Sequence, residues 1–457
     1  MRIRDLRSIR ELTLSFEADA VGRKWTYLLG ENGTGKSSVL RSLALSFAGS
    51  EAAAELVGTP DEWIRLGSDT AQIEIDFATA RGEERRACLN FTRGMSALDF
   101  AVQNRTDLEQ IDAAIAKAER NYFVVGYGVT RRPQSSRHGF SETSSGFRSA
   151  RARAIATLFN PESALISLEQ WAMDLEYRRG KTGLAAVRKA LDSLLPEVRF
   201  EGIDREQRRL MFRTRDGILP LGALSDGYQA MAAWCGDLLW QITETFDDYK
   251  DPLSARGVLL VDEVDIHLHP LWQRRLVSFL NGMLPNVQIV ATTHSPLTVH
   301  QAGDHELYVL RRDNDAGAVL HAYEGAPNRL LLPQLLESPL FGLSSLDSPQ
   351  VQELREELRD LQGIGASAPR RSTARDRRIR EIERKLQSAS NWDDVPPYLQ
   401  RTNRLLDGSP RPWHLMTIAR RSRPWRDDPI RGARRAQNDQ AAASPRCDIC
   451  PQTLSAT

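Results

Sequence analysis

The feature that most limits what this chain can fold into is the octapeptide Gly30-Glu31-Asn32-Gly33-Thr34-Gly35-Lys36-Ser37. It fits G-x-x-x-x-G-K-[ST], and it lies where that pattern has physical meaning. WTYLLG (25–30) before it reads as an apolar strand, and in SSVLRSLALSFAG after it Leu40, Leu43, Ala44 and Phe47 recur at helical spacing with Gly49 as a stop. Such a loop wraps a polyphosphate: its N–H groups and the helix N-terminus supply positive potential, Lys36 neutralises charge on the outer phosphates, and Ser37 suits Mg²⁺ ligation. Asn32, Thr34 and Ser38 complete the expected nucleotide-binding lining. By chance the pattern arises about 0.004 times in a chain like this, so it is read as functional.

Two further apolar runs, GVLLVDE and VQIVATTHS, are short, β-branched and separated by a helical stretch, the signature of parallel strands covered on both faces. The first ends in Asp262 and Glu263. Downstream of a phosphate loop, Asp262 is expected to hold Mg²⁺ and Glu263 to polarise the attacking water. Between loop and carboxylates, Leu224-Ser225-Asp226-Gly227-Tyr228-Gln229 stands directly before a helix. Ser225 offers a hydroxyl, Gly227 allows close approach, and the helix dipole favours an anion, although a plain Ser N-cap has the same look.

With these residues in this order the chain resembles the ABC-type ATPases, whose signature LSGGQ occupies the place of LSDGYQ. The resemblance covers roughly residues 1–325. It implies an α/β fold, an ABC-type P-loop ATPase with a mixed β-sheet core and a short helical lobe, followed by a helical carboxy-terminal region. It implies ATP and Mg²⁺ as cofactors, with Lys36, Glu263 and His294 in catalysis, His294 matching the family's switch histidine. It also implies composite sites in an ATP-dependent dimer, where Ser225 and Gly227 of one subunit bind the γ-phosphate held by the other. The segment Asp265-Ile266-His267-Leu268-His269-Pro270 looks like the D-loop region of the RecF-like and OLD-like branch. The family glutamine of the Q-loop has no clear place: Gln103 lies at an apparent strand end, and the loop after FVVGYGVT offers Tyr127, Arg131 and Arg132 but no glutamine before Gln134.

The rest of the chain divides around this core. Residues 1–149 form the first part of the ATPase core, opened by a strand pair in MRIRDLRSIRELTLSF; 150–200 form the helical lobe; 201–334 form the second part of the core. At 335–408 Val351, Leu354, Leu358 and Leu361, then Ile379, Ile382 and Leu386, give the seams of an antiparallel helical hairpin suited to assembly. Residues 409–457 are rich in Arg and Pro and read as a largely flexible tail, with Trp413 and Trp425 among the arginines. Cys447 and Cys450 form one CxxC without a second pair, and His414 is a distant candidate ligand, so a zinc site is not expected.

Composition excludes more than it selects. The 61 basic residues nearly cancel 60 acidic ones, so a grip on DNA, a candidate partner, must come from a local patch. Four scattered cysteines point to a reducing compartment, and neither a membrane-spanning run nor a signal-peptide core is legible, so a cytoplasmic protein without a membrane partner is expected. No nuclease or other effector constellation follows residue 300. By resemblance the chain looks like stand-alone ATPases of prokaryotic anti-phage defence, higher homo-oligomers that control a separate nuclease or toxin. A RecF-like DNA-repair clamp and, further off, a transporter ATPase subunit are the rival readings.

Overall fold

The computed structural model describes residues 1–18, 21–78, 82–118, 124–131, 147–194, 198–245, 255–266, 268–313, 317–343, 345–363 and 373–387. The chain divides into two compact units, Met1–Leu346 and Asp347–Thr457. The first unit opens with strands β1 (Arg2–Leu6), β2 (Ile9–Thr13), β3 (Glu17–Ala18), β4 (Val21–Gly22) and β5 (Trp25–Gly30), then helices α1 (Lys36–Ser46) and α2 (Gly49–Leu56). β6 (Thr70–Ala78), β7 (Glu84–Thr92), α3 (Ala97–Gln103) and α4 (Arg105–Ala118) lead to β8 (Val124–Tyr127), α5 (Ala150–Phe159) and α6 (Leu168–Leu194). After β9 (Arg199–Asp204), β10 (Arg209–Thr214) and β11 (Gly217–Pro220) come α7 (Asp226–Thr245), β12 (Gly257–Val261), α8 (Pro270–Met283) and β13 (Val287–Thr292). The unit closes with α9 (Pro296–Val299), β14 (Leu307–Asp313), β15 (Gly317–Ala322) and α10 (Leu332–Glu337).

The fold is α/β around a mixed sheet, as the sequence implies. Ten strands run in the order β7-β6-β1-β2-β15-β14-β5-β13-β12-β8. From β14 to β8 all neighbours are parallel, with Val261 opposite Ala291 and Ala291 opposite Tyr27, while β7 to β15 form an antiparallel wing. Side-chain alternation divides the core into two layers. Trp25, Tyr27, Leu29, Leu259, Val261, Ile289 and Ala291 face a layer shared with α6, α7 and α8. Leu28, Leu260 and Val290 face the other, with Val39, Leu40 and Leu43 of α1. Strands buried on both faces must be apolar throughout, which is why these three runs carry no polar alternation.

Several elements depart from the sequence reading. Gly49 does not simply stop a helix: α1 ends at Ser46, and Gly49, with φ +76°, opens α2. Gln103 is not at a strand end but closes α3, because Ser96 and Asp99 form a capping box that starts a helix there. The lobe helix α6 is broken at Gly180, whose φ of 58° and ψ of −140° are non-helical. VRFEGID and RRLMFRT pair antiparallel as β9 and β10, and the short β11 joins them as a third strand in the order β11-β10-β9, a separate sheet.

In the second unit, α11 (Pro349–Gly363) and α12 (Thr373–Gln387) lie antiparallel. Arg375 donates to the Leu361 carbonyl, and Arg378 donates bidentately to Glu357 at 2.7 and 2.8 Å. Ile382 is buried in the seam. The segment expected to be a flexible tail, with Trp413, His414, Trp425, Cys447 and Cys450, lies outside the described residues. Among the described residues no helix is long and apolar enough to cross a membrane.

Candidate functional site

The phosphate-loop pattern sits at the carboxyl end of β5, in mid-sheet, where the parallel strands β13 and β14 flank it. Gly33 and Gly35 take φ of +79° and +104°, values that L side chains avoid. At Gly30 the constraint is proximity: a Cβ there would stand 2.4 Å from the Leu310 carbonyl oxygen of β14. Thr34 is buried and its hydroxyl donates to the Glu31 carbonyl at 2.8 Å, tying the loop to itself. Lys36 folds back over the loop, Nζ donating to the carbonyls of Gly30 at 2.7 Å and Glu31 at 2.8 Å. Burial lowers the ammonium's pKa, while Asp262 and Glu263 act in the opposite direction. Ser37 is half-buried and Ser38 buried; Asn32 is exposed. A lysine that satisfies itself on loop carbonyls is a cation available to a stronger acceptor, and the residue types fit a nucleotide polyphosphate.

The carboxylates stand two strands along from the loop, beyond β13, where β12 ends. Asp262 is buried and accepts from the Thr292 hydroxyl at 2.6 Å; its backbone N–H donates to the Tyr127 carbonyl at 2.8 Å. Glu263 is half-buried, with φ of +49°, an uncommon backbone for a non-glycine residue, and its N–H donates to the same Thr292 hydroxyl at 2.7 Å. Asp265, also buried, accepts from the Thr293 hydroxyl. Thr292 and Thr293 were not singled out by sequence reasoning. The only signal for them is two hydroxyls in succession at the end of an otherwise apolar strand.

His294 follows directly, exposed, and Ser295 caps α9 through the N–H of Leu297. Desolvation lowers the His294 pKa and Lys36 adds to the shift, with Glu263, Asp265 and Asp262 opposing. Lys36, Asp262, Glu263 and His294 therefore share one electrostatic neighbourhood. Ser225 is exposed at the start of α7, with Gln229 folding back to the Leu224 carbonyl at 2.7 Å, and Gly227 lies in the first turn. Among the described residues no hydrogen bond joins Ser225 to the Lys36 group. His269, one of the paired histidines, accepts the Leu271 N–H as the N-cap of α8, a structural role; His267 lies outside the described residues. Of the Q-loop candidates, Gln103 is exposed on α3, Arg131 reaches under the Asp262–Glu263 turn, and Arg132 and Gln134 lie outside the described residues. Among the described residues no group of three or more His, Cys, Asp or Glu could hold a metal ion. An Mg²⁺ site here would instead combine Ser37 and Asp262 with phosphate oxygens.

A strand–loop–helix at mid-sheet, a lysine folded into the loop and paired carboxylates on a parallel strand beyond β13 define a P-loop ATPase domain. The family model described as "AAA domain, putative AbiEii toxin, Type IV TA system" matches residues 26–300, and the chain belongs to that family. Septu protein PtuA of Bacillus mycoides is 30% identical over 359 residues, 78% of this chain and 46% of that protein. The Retron Ec83 probable ATPase of Escherichia coli is 30% identical over 128 residues, 28% of this chain and 24% of that protein. The chain thus spans less than half the length of either relative. A solved Smc head bound to the C-winged helix domain of ScpA aligns at a TM-score of 0.41 and 14% identity, covering 71% of this chain and 96% of that one.

Proposed function

We propose that this chain binds and hydrolyses ATP, and that its nucleotide-driven association is the useful output. The observation that carries the reading is the convergence of Lys36, Asp262, Glu263 and His294 where the parallel strands β5, β12 and β13 end. Ligands of open α/β sheets bind at the carboxyl ends of the strands.

Each side chain then has one task. The loop N–H groups and Lys36 hold the phosphates, Lys36 leaving the carbonyls of Gly30 and Glu31 for them. Ser37 and Asp262 would hold Mg²⁺, which would supply charge neutralisation at the phosphates. Glu263 orients the attacking water and takes its proton. His294, whose pKa is lowered by desolvation and by Lys36 before nucleotide arrives, donates a hydrogen bond toward the outer phosphate. Ser225 and the α7 N-terminus complete the site in a second subunit, which suits the exposure of Ser225.

The names of the relatives support a place in anti-phage defence; within that reading this chain is a cytoplasmic scaffold or sensor for a separate nuclease or toxin, with the 335–408 region as its assembly part. Phosphate release and ATP affinity test the hydrolytic reading. Glu263→Gln is expected to keep ATP affinity and lose turnover by about two orders of magnitude or more. Lys36→Ala is expected to lose affinity. Wild-type turnover in the first variant, or unchanged calorimetric affinity in the second, contradicts it.

A further inference from the structure

We propose that Arg131 is a positioning residue of the hydrolytic site, holding the backbone of the Asp262–Glu263 turn so that the Glu263 carboxylate is aimed; the inference rests on the hydrolytic reading above.

Arg131 follows β8, the edge strand beside β12, and its half-buried guanidinium is spent on main-chain carbonyls. Nε donates to Gly128 at 3.1 Å. Nη2 donates to Asp262 at 2.5 Å and Glu263 at 2.7 Å, and Nη1 reaches Val264 at 3.5 Å. Asp262, Asp265 and Glu263 favour its charged form; burial lowers its pKa to about 10, so it remains a cation at neutral pH. Yet no carboxylate oxygen is its hydrogen-bond partner among the described residues. The charge serves the backbone.

That backbone needs holding. Glu263 has φ of +49°, a conformation costing a non-glycine residue about 1 kcal/mol or more, which persists only where the surroundings over-determine it. Three bonds do so here. The Glu263 N–H is held by Thr292, and its carbonyl accepts from both Ile266 N–H at 3.1 Å and Arg131. Because Thr292 and Arg131 hold opposite ends of the residue, the Glu263 Cα–Cβ direction is fixed, and among the described residues no hydrogen bond engages its side chain. A planar guanidinium, with five N–H groups in one fan, serves the carbonyls of Gly128, Asp262, Glu263 and Val264 together; an ammonium has three N–H groups on a single nitrogen.

The same guanidinium touches the signature helix. Its carbon lies 6.0 Å from the centroid of the Trp234 ring on α7, and Tyr127, whose carbonyl holds Asp262 N–H, donates its hydroxyl to Asp237 of α7 at 2.8 Å. A shift of α7 is therefore felt at the Glu263 turn.

The test compares wild type, Glu263→Gln, Arg131→Lys and Arg131→Gln in full-length protein, reading kcat, KM, ATP affinity and melting temperature. A misplaced reacting group costs on the order of a hundredfold in rate, so Arg131→Gln is expected to lower kcat about 10- to 100-fold while KM and ATP affinity stay within about threefold. Arg131→Lys is expected to restore part of kcat. Wild-type kcat in a folded Arg131→Gln overturns the assignment. Parallel losses of affinity and kcat, or failure of both variants to fold, overturn it in favour of a purely structural arginine. If wild type releases no more phosphate than Glu263→Gln, the hydrolytic reading fails and takes this inference with it; if wild type turns over and Arg131→Gln keeps the wild-type kcat, this inference falls and the hydrolytic reading stands.

Discussion

Replacing Thr292 by Val isolates the bond pair that orders both carboxylate positions. The residue is fully buried, and its hydroxyl donates to Asp262 at 2.6 Å while accepting the Glu263 N–H at 2.7 Å. Valine keeps the volume and removes the hydroxyl. A hydrogen bond to a charged group contributes about 1.5–3 kcal/mol, and an unpaired buried N–H costs about 1–3 kcal/mol, so the variant is expected to lose about 4 kcal/mol. For the unit Met1–Leu346, an unfolding entropy of about 2.1 cal/mol/K per residue converts this to a fall in Tm of about 5 °C. Differential scanning fluorimetry reads it, with Thr292→Ser as the control that keeps the hydroxyl and falls by about 2 °C. Turnover falls too, since one of the restraints on the Glu263 backbone is gone. A Thr292→Val protein melting within about 1 °C of wild type refutes the reasoning, because the two bonds then carry no net free energy.

Gly30→Ala places a Cβ 2.4 Å from the Leu310 carbonyl oxygen, so β5 and β14 must part; a lower Tm with weakened ATP affinity is expected, and a wild-type melting curve contradicts it. Asp237, buried between Tyr127 and the Ile166 N–H, has its pKa raised to about 6 by desolvation. A raised carboxyl pKa means the folded state holds the proton more tightly, so this contribution to stability is full below about pH 4 and lost as pH rises through about 6. Relative to Asp237→Asn, wild type is therefore expected to lose about 2 kcal/mol between about pH 4 and pH 7 in parallel urea melts; a constant gap between the two proteins contradicts the assignment.

The sheet centre is legible because burial on both faces leaves β5, β12 and β13 apolar, and the loop is legible because Gly33, Gly35 and Lys36 are dictated by local backbone and charge. What escapes is set by tertiary contact. Helices α3 and α4 are anchored by little more than Phe100, Leu108, Ile111 and Ala114, too few apolar positions among charges to stand out. Gln103 is misplaced for the same reason, since its helix depends on the Ser96 and Asp99 cap. Arg131 offered only a basic residue near a strand end. Its partners in the Asp262–Glu263 turn lie 131 and 132 positions away and are carbonyls, which no side-chain pattern announces. The φ of Glu263 is equally silent in sequence, because nothing in Val-Asp-Glu-Val asks for a left-handed residue.

The central claim, that ATP is hydrolysed in a site shared by two subunits, is tested most directly by mixing two inactive variants, Ser225→Arg and Lys36→Ala. The exposed Ser225 stands at the start of α7, so an arginine there is tolerated by the fold while blocking the partner's nucleotide. In a mixed dimer one site combines both defects and the other contains neither. Random pairing of equal amounts then returns about a quarter of wild-type sites, and phosphate release is expected to reappear in the mixture at about that fraction of the wild-type rate. Full activity of Ser225→Arg by itself, or a mixture as inactive as its components, contradicts the claim.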